Sequence, residues 1–184
     1  MITWVDVETT GLDPETCSLI EIAVVVTNDD LEIQDFFTSV VSPEASFQWE
    51  EEAHRMHKDS GLCDLLDIVS IAPSIAPPRS RVEDLLLEFY APWATYEEMP
   101  LAGSSVHFDR AFLKKYFPKF HEHLHYRNID VSTMKEIVSR TFAWDRDRLP
   151  PFKVTSKHRA LNDVLDSIDA MKYYTKFLVW PDDA

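Results

Sequence analysis

Apolar and polar positions along the chain switch between a strand period and a helix period, and the switches lay out its elements. Ile2 to Val7 is an apolar run of strand length, yet it holds Asp6 and is followed at once by Glu8. Thr9 to Pro14, with Gly11 and Asp13-Pro14, reads as a turn. Leu19 to Thr27 is a second, β-branched strand, and Leu31 to Val41 alternates enough for a third, with Asn28-Asp29-Asp30 between them. Short turns between three strands predict an antiparallel meander. From Pro43 to Leu66 the pattern is helical but irregular, broken near Ser60-Gly61-Leu62, and Ser70 to Ser80, rich in Pro and Ser, predicts a loop. A stripe of Val82, Leu85, Leu86, Phe89 and Tyr90 predicts an amphipathic helix over Val82 to Thr95. Met99 to Ala102 and His125 to Asp130 predict short strands, and Phe108 to Tyr116 and Ser132 to Phe142 predict helices. Trp144 to Lys157, polar and containing Pro, predicts a mobile loop. Leu161, Val164, Leu165, Ile168 and Met171 then stripe a last helix from about Arg159 to Phe177. A meander followed by alternating helices and short strands specifies an α/β fold, a mixed sheet flanked by helices. No repeat and no second domain is visible, so residues 1–184 are expected to form one domain.

Composition narrows the class. The 184 residues are 45% hydrophobic and 27% charged, enough to bury a full core and unlike a disordered segment. Three glycines against eleven prolines stiffen the loops. No apolar run is long enough for a bilayer, and no basic-then-apolar leader opens the chain. Cys17 and Cys63 lack metal-type spacing and read as small semi-buried thiols, which fits a cytoplasmic setting. The formal net charge of −14 repels long nucleic acid. A nucleic-acid partner would have to be met through a small footprint, a bound metal or a local basic patch.

Candidate chemistry begins with Asp6 and Glu8, which share one face of the first strand. Two carboxylates at the end of a core strand repel each other and are costly to desolvate. A divalent cation with oxygen ligands would relieve them, and so would a strand end that runs into solvent. Asp109 stands near a helix start, where an acid also suits the helix dipole. Asp163 lies within the last helix, where a solvated face shared with Asp166 is an equally good account. His158 closes the expected mobile loop and, alone, reads as a surface residue. His121, His123 and His125 alternate without Cys partners, which is a poor zinc pattern. Lys114, Lys115 and Lys119 read as a solvated helix face sooner than as a phosphate patch.

Taken together, these residues resemble the DEDDh 3′–5′ exonuclease superfamily and, within it, the oligoribonuclease family. The resemblance covers most of the chain. It is carried by Trp4-Val5-Asp6-Val7-Glu8-Thr9-Thr10-Gly11-Leu12-Asp13-Pro14, by Ile20-Glu21-Ile22-Ala23 and by His57-Lys58-Asp59-Ser60-Gly61-Leu62. It continues through Gly103-Ser104-Ser105 to Asp109-Arg110, through His125 to Glu136, and ends on His158-Arg159-Ala160-Leu161-Asn162-Asp163.

The resemblance implies a ribonuclease H-like sheet. It implies that Asp6, Glu8, Asp109 and Asp163 hold two divalent cations, Mg²⁺ or Mn²⁺, and that His158 is the general base of phosphodiester hydrolysis from a 3′ end. It further implies that Leu12 wedges between the last two bases and that His57 and Ser105 hold the terminal nucleotide or its phosphate. Tyr126, Arg127, Ser132 and Thr133 match a segment that caps the 5′ phosphate of a very short single-stranded RNA across a homodimer. The residues themselves also allow Tyr126 and Ile129 as strand core and Ser132 as a helix cap working with Glu136. The chain departs from the family pattern at Glu52, where an aromatic Trp is expected, and Trp49 is the nearby candidate to replace it. That departure keeps open a broader exonuclease acting on single-stranded RNA or DNA. A binding module without chemistry is disfavoured, because all four acids and His158 are in register.

Overall fold

The computed structural model describes residues 1–43, 47–71, 77–96, 99–141, 152–155 and 158–178. Strands β1 (Ile2–Thr9), β2 (Leu19–Thr27) and β3 (Ile33–Val40) form the expected meander. Helices α1 (Glu51–Asp59) and α2 (Leu62–Ile71) follow, separated at the left-handed Gly61, and then α3 (Arg79–Tyr90). The second half alternates β4 (Leu101–Gly103), α4 (Val106–Tyr116), α5 (Pro118–Glu122), β5 (Asn128–Asp130), α6 (Val131–Thr141) and α7 (Ala160–Thr175). Sheet order is β3-β2-β1-β4-β5, with β1 central, antiparallel to β2 and parallel to β4, which in turn runs parallel to β5.

Strand periodicity divides the core between the two faces of this sheet. Val5, Val7, Ile22 and Val24 pack with Leu86, Phe112, Leu113 and Phe120 of α3, α4 and α5. Trp4, Ala23 and Val25 pack with Val131, Val164, Ile168 and Met171 of α6 and α7. Strand β2 is buried along its whole length, so its sequence reads as a continuous apolar run instead of alternating. The polar atoms carried inward find partners, as when Trp4 Nε1 donates to Thr27 Oγ1 at 2.9 Å.

Several boundaries differ from the pattern. β1 extends two residues past Val7, because Glu8 and Thr9 continue the ladder to β2. The helix expected over Val82 to Thr95 starts at Arg79 and ends at Tyr90, passing into turns. Helix α5, behind Pro118, is additional, and β5 is only three residues long. Leu165, assigned to the core stripe of the last helix, is 36% exposed, and the buried side of α7 carries Ser167 and Ala170 instead. Of the expected mobile loop, 152–155 is described and lies against α7: Thr155 donates through N–H and Oγ to Asp166 at 2.9 and 2.7 Å, and Phe152 packs on Tyr173. Its other residues lie outside the described residues, as do 72–76 of the loop expected over Ser70 to Ser80, whose ends belong instead to α2 (through Ile71) and α3 (from Arg79).

Gly103 ends β4 where the chain passes closest to β1. A β-carbon there would stand 2.7 Å from the Val5 carbonyl oxygen, so the two strand backbones would have to part. Gly103→Ala is therefore expected to destabilise the fold by about 1–3 kcal/mol. A denaturant titration reads this as a lowered midpoint, and an unchanged midpoint would mean the strands are not held at this spacing.

Candidate active site

The carboxyl ends of the three parallel strands β1, β4 and β5 converge, which is where open α/β sheets place ligands. Asp6 and Glu8 project from β1 on the side of α7. Asp6, Glu8 and Asp163, from the first turn of α7, each bring a carboxylate oxygen within 4.8 Å of the others. The Glu8 and Asp163 carboxyls also act on each other directly, which works to raise the pKa of Glu8 and to lower that of Asp163. Glu8 is buried, its Oε1 has no hydrogen-bond partner, and its Oε2 lies 3.8 Å from His57 Nε2.

Asp109 stands beside this group and not within it. It is buried in the first turn of α4, and its Oδ1 accepts the Val7 N–H at 3.0 Å. Burial raises Asp109 to about 7, against the pull of the backbone N–H groups that hydrogen-bond it. Burial first and Asp163 second push Glu8 to about 9. Asp6 is raised well above the carboxylate range by burial and then by Asp109, Glu8 and Asp163, and Asp163 is raised chiefly by burial. Acids that resist ionising together, one of them with an orphaned buried oxygen, form a hard, all-oxygen donor set that fits a divalent cation. Among the described residues this is the one group of at least three acids, histidines or cysteines so arranged, and His121, His123 and His125 do not form another.

His158 precedes α7, exposed, with φ of 54°, and acts electrostatically on both Asp163 and His57. His57, expected to hold a nucleotide, is fully buried on α1. Its Nε2 lies 2.8 Å from the Thr9 carbonyl oxygen, and burial lowers its pKa. The neutral ring thus braces the end of β1 from below.

Leu12 is 72% exposed at the tip of the first turn, as a wedge requires. Its N–H donates to Glu50 Oε1 at 2.9 Å, and the Glu50 N–H donates to the Thr10 carbonyl at 2.8 Å. Gly11 lies so close that a β-carbon would fall 2.5 Å from the Glu50 side chain. A cavity of about 250 Å³ opens beside Leu12, walled by Glu8, Glu52, Met56 and Phe108. Trp49 does not take up the place left by Glu52. Its ring packs on His54 and His57 at 5.0 and 5.9 Å, next to Ile20, Leu62 and Leu66.

The segment from Tyr126 to Thr133 is divided. Ser132 Oγ lies 3.1 Å from Ser105 Oγ of the same chain, and Thr133 adjoins it. Asp130 organises the group: its Oδ1 accepts N–H bonds from Ser105, Ser132 and Thr133 at 3.1, 2.9 and 3.4 Å. These bonds hold Ser105 in the left-handed region (φ 56°) and cap α6 in place of a Ser132–Glu136 box, Glu136 being paired with Arg140. Asp130 was legible as an acid at a strand–helix junction two residues before Ser132-Thr133, a position from which Asp caps helices. Tyr126, in contrast, is 74% exposed and is not strand core, with the Arg127 guanidinium 5.4 Å from its ring centre. Ile129 does pack against the core. A second cavity, of about 290 Å³, has Asp6 and Asp163 in its lining together with Ser104, Ser132 and Lys135.

A five-stranded sheet of this order, with acids gathered at the end of its central strand, is the ribonuclease H-like architecture of exonucleases. Exonuclease I from Methylocaldum szegediense superposes with a TM-score of 0.69 at 16% identity, covering 95% of this chain and 40% of that one. The zinc-bound Escherichia coli exonuclease I–single-stranded DNA complex gives 0.69 at 13%, with the same coverage. These likenesses concern the fold. In sequence, the oligoribonuclease of Neisseria meningitidis serogroup A is 34% identical over 188 residues, covering 96% of this chain and 91% of that protein. The oligoribonuclease of Leifsonia xyli subsp. xyli is 39% identical over 178 residues, covering 95% and 82%. Residues 3–171 match the family described as Exonuclease, and the chain belongs to that family, in its oligoribonuclease branch.

The raised acids predict a link between pH, cation and stability. A carboxyl whose pKa is higher folded than unfolded stabilises the fold fully below its ordinary value, 4.5 for Glu8, and that contribution is lost as pH rises through about 9. Without divalent cations, melting temperature is expected to fall across this window, and Mg²⁺ or Mn²⁺ to restore it most at the alkaline end. Glu8→Gln should flatten both trends in thermal melts with and without chelator. Equal cation stabilisation of the variant would remove Glu8 from the site.

Proposed function

We propose that this chain is a divalent-metal-dependent 3′–5′ exoribonuclease that hydrolyses short single-stranded oligoribonucleotides to nucleoside 5′-monophosphates. The observation that carries the proposal is the meeting of Asp6, Glu8 and Asp163 within 4.8 Å, with one buried carboxylate oxygen unpartnered, in a chain of this family. Two cations, Mg²⁺ or Mn²⁺, held by these three acids and Asp109, would supply an activated water and offset the charge on the phosphate and the leaving 3′ oxygen. His158 takes the proton of the attacking water from its exposed position beside Asp163. Leu12 separates the last two bases, and the cavity beside it receives the terminal one. Ser105, Ser132 and Thr133 offer hydroxyls to phosphate, and His57 supports the end of β1 without touching the nucleotide. Arg127, with its planar fork, grips the 5′ phosphate, with Tyr126, on a second copy in a homodimer. The net charge of −14 agrees with a substrate that needs few phosphate contacts.

A second reading rests on Glu52, which puts a carboxylate on the wall of the cavity beside Leu12 and weakens base stacking there. It assigns the chain a broader range of single-stranded RNA or DNA. Time courses on 5′-labelled RNAs of two, five and twenty nucleotides, with matched DNAs, separate the two. Preference for the two-nucleotide RNA supports the first reading, and equal or faster digestion of long strands or DNA supports the second. Asp163→Ala or His158→Ala is expected to lower turnover by about 10²–10⁴-fold with the fold intact. Arg127→Ala should cripple cleavage of the two-nucleotide RNA and leave long strands nearly unaffected; equal losses on both would remove Arg127 from 5′ recognition.

A further inference from the structure

Glu21 is buried on β2, opposite Glu8 in the register of β1 and β2, and adds its charge to the group that repels Asp6 and Glu8. A buried carboxylate in such company needs a specific partner. Arg159 provides one: its Nε lies 3.1 Å from both carboxylate oxygens, and its Nη2 lies 2.6 Å from Oε1. The Ala160 N–H completes the set, donating to Oε2 at 3.0 Å. Both oxygens of Glu21 are therefore engaged, and they are engaged by two consecutive residues.

Those residues lie between His158 and Asp163. Arg159 is the N-cap of α7 and makes no side-chain capping bond of its own, so Glu21 caps the helix from a strand 138 residues away in sequence. The Asp163 N–H donates to the Arg159 carbonyl at 3.0 Å, so the turn that presents Asp163 is built directly on the clamped residue. On the other side of the clamp, His158 holds a left-handed backbone that a β-carbon disfavours and that persists only where neighbours impose it.

We infer that Glu21 and Arg159 are a positioning pair, which sets His158 and Asp163 against Asp6 and Glu8 without itself touching cation or RNA. The inference rests on the reading of His158 as general base and Asp163 as cation ligand. If the pair served stability alone, its loss would lower the melting temperature and leave the turnover of folded protein unchanged. A positioning role loses turnover in protein that is still folded.

The test measures kcat and KM on the two-nucleotide RNA, with thermal melts, for Glu21→Gln, Arg159→Lys and Arg159→Ala, each also combined with His158→Ala. Glu21→Gln and Arg159→Ala are expected to lower kcat by about 10–100-fold, the usual scale for residues that orient ligands. KM should stay within about twofold, since uniform binding is not what is lost. Arg159→Lys, which keeps the charge but not the fork, should fall between. In the His158→Ala chain the same changes should cost less, because one of the two groups they position is gone and only the effect through Asp163 remains. Unchanged kcat in folded Glu21→Gln and Arg159→Ala, or full additivity with His158→Ala, overturns the inference. The Arg159 side chain is 35% exposed, so its variants decide the question even where Glu21→Gln does not fold. A wild-type chain inactive in both Mg²⁺ and Mn²⁺ overturns the proposed function and this inference with it. An active wild type beside an equally active His158→Ala overturns the base assignment instead.

Discussion

Mutual repulsion among carboxylates at the end of β1 is the constraint on which the rest of the structure turns. Asp6, Glu8, Asp109, Asp163 and Glu21 crowd one region of a chain that already carries a net charge of −14. Left in water they would cost little; taken out of it, each needs an answer. The fold answers them in different ways. Asp109 is fixed by the Val7 N–H, and Glu21 by the Arg159 guanidinium and the Ala160 N–H. What remains at Asp6, Glu8 and Asp163 is an all-oxygen cluster that a divalent cation would complete. A region held under that much electrostatic strain is poorly suited to stability and well suited to binding a cation.

The sheet order makes the cluster possible. Because β1 is central and runs parallel to β4 and β5, its acids open onto the same edge as the turn after Gly103 and the start of α6. Asp130 then serves the Ser105–Ser132 side much as Glu21 serves the acid side. One buried or half-buried carboxylate gathers backbone N–H groups from two elements and so aligns Ser105 with Ser132. On the third side, the Glu50 carboxylate anchors the Leu12 turn by accepting the Leu12 N–H. Three acids outside the Asp6–Glu8–Asp163 cluster therefore hold the turns around it.

Under the proposed function, the net charge of −14 favours a small substrate. Long strands draw their affinity from many phosphate contacts, which that charge disfavours. The described basic side chains are spoken for in several places: Arg159 binds Glu21, Arg110 binds Asn128 and the His125 carbonyl, and Lys115 reaches the Pro14 carbonyl. Glu52 makes the cavity beside Leu12 more acidic still, with Met56 and Phe108 as its apolar walls.

The amino-acid sequence alone determined the meander, the strand–helix order apart from α5, and the placement of Asp6 and Glu8 on one strand face, because side-chain period is a local property. Asp109, His158, Asp163 and Leu12 stood out only through the resemblance to a known family, since each alone also suits an ordinary structural role. Only the tertiary structure decided which acids meet. Asp109 contacts Val7 across 102 residues, Arg159 contacts Glu21 across 138, and Ser105 contacts Asp130 across 25. The same holds for Trp49, which lies on His54 and His57 instead of beside Leu12, and for His57, which faces the backbone of β1. Periodicity states which face of an element is turned inward. It does not state what lies across from that face, and at a cluster of like charges the residue across decides whether an acid braces the fold or is left for a cation.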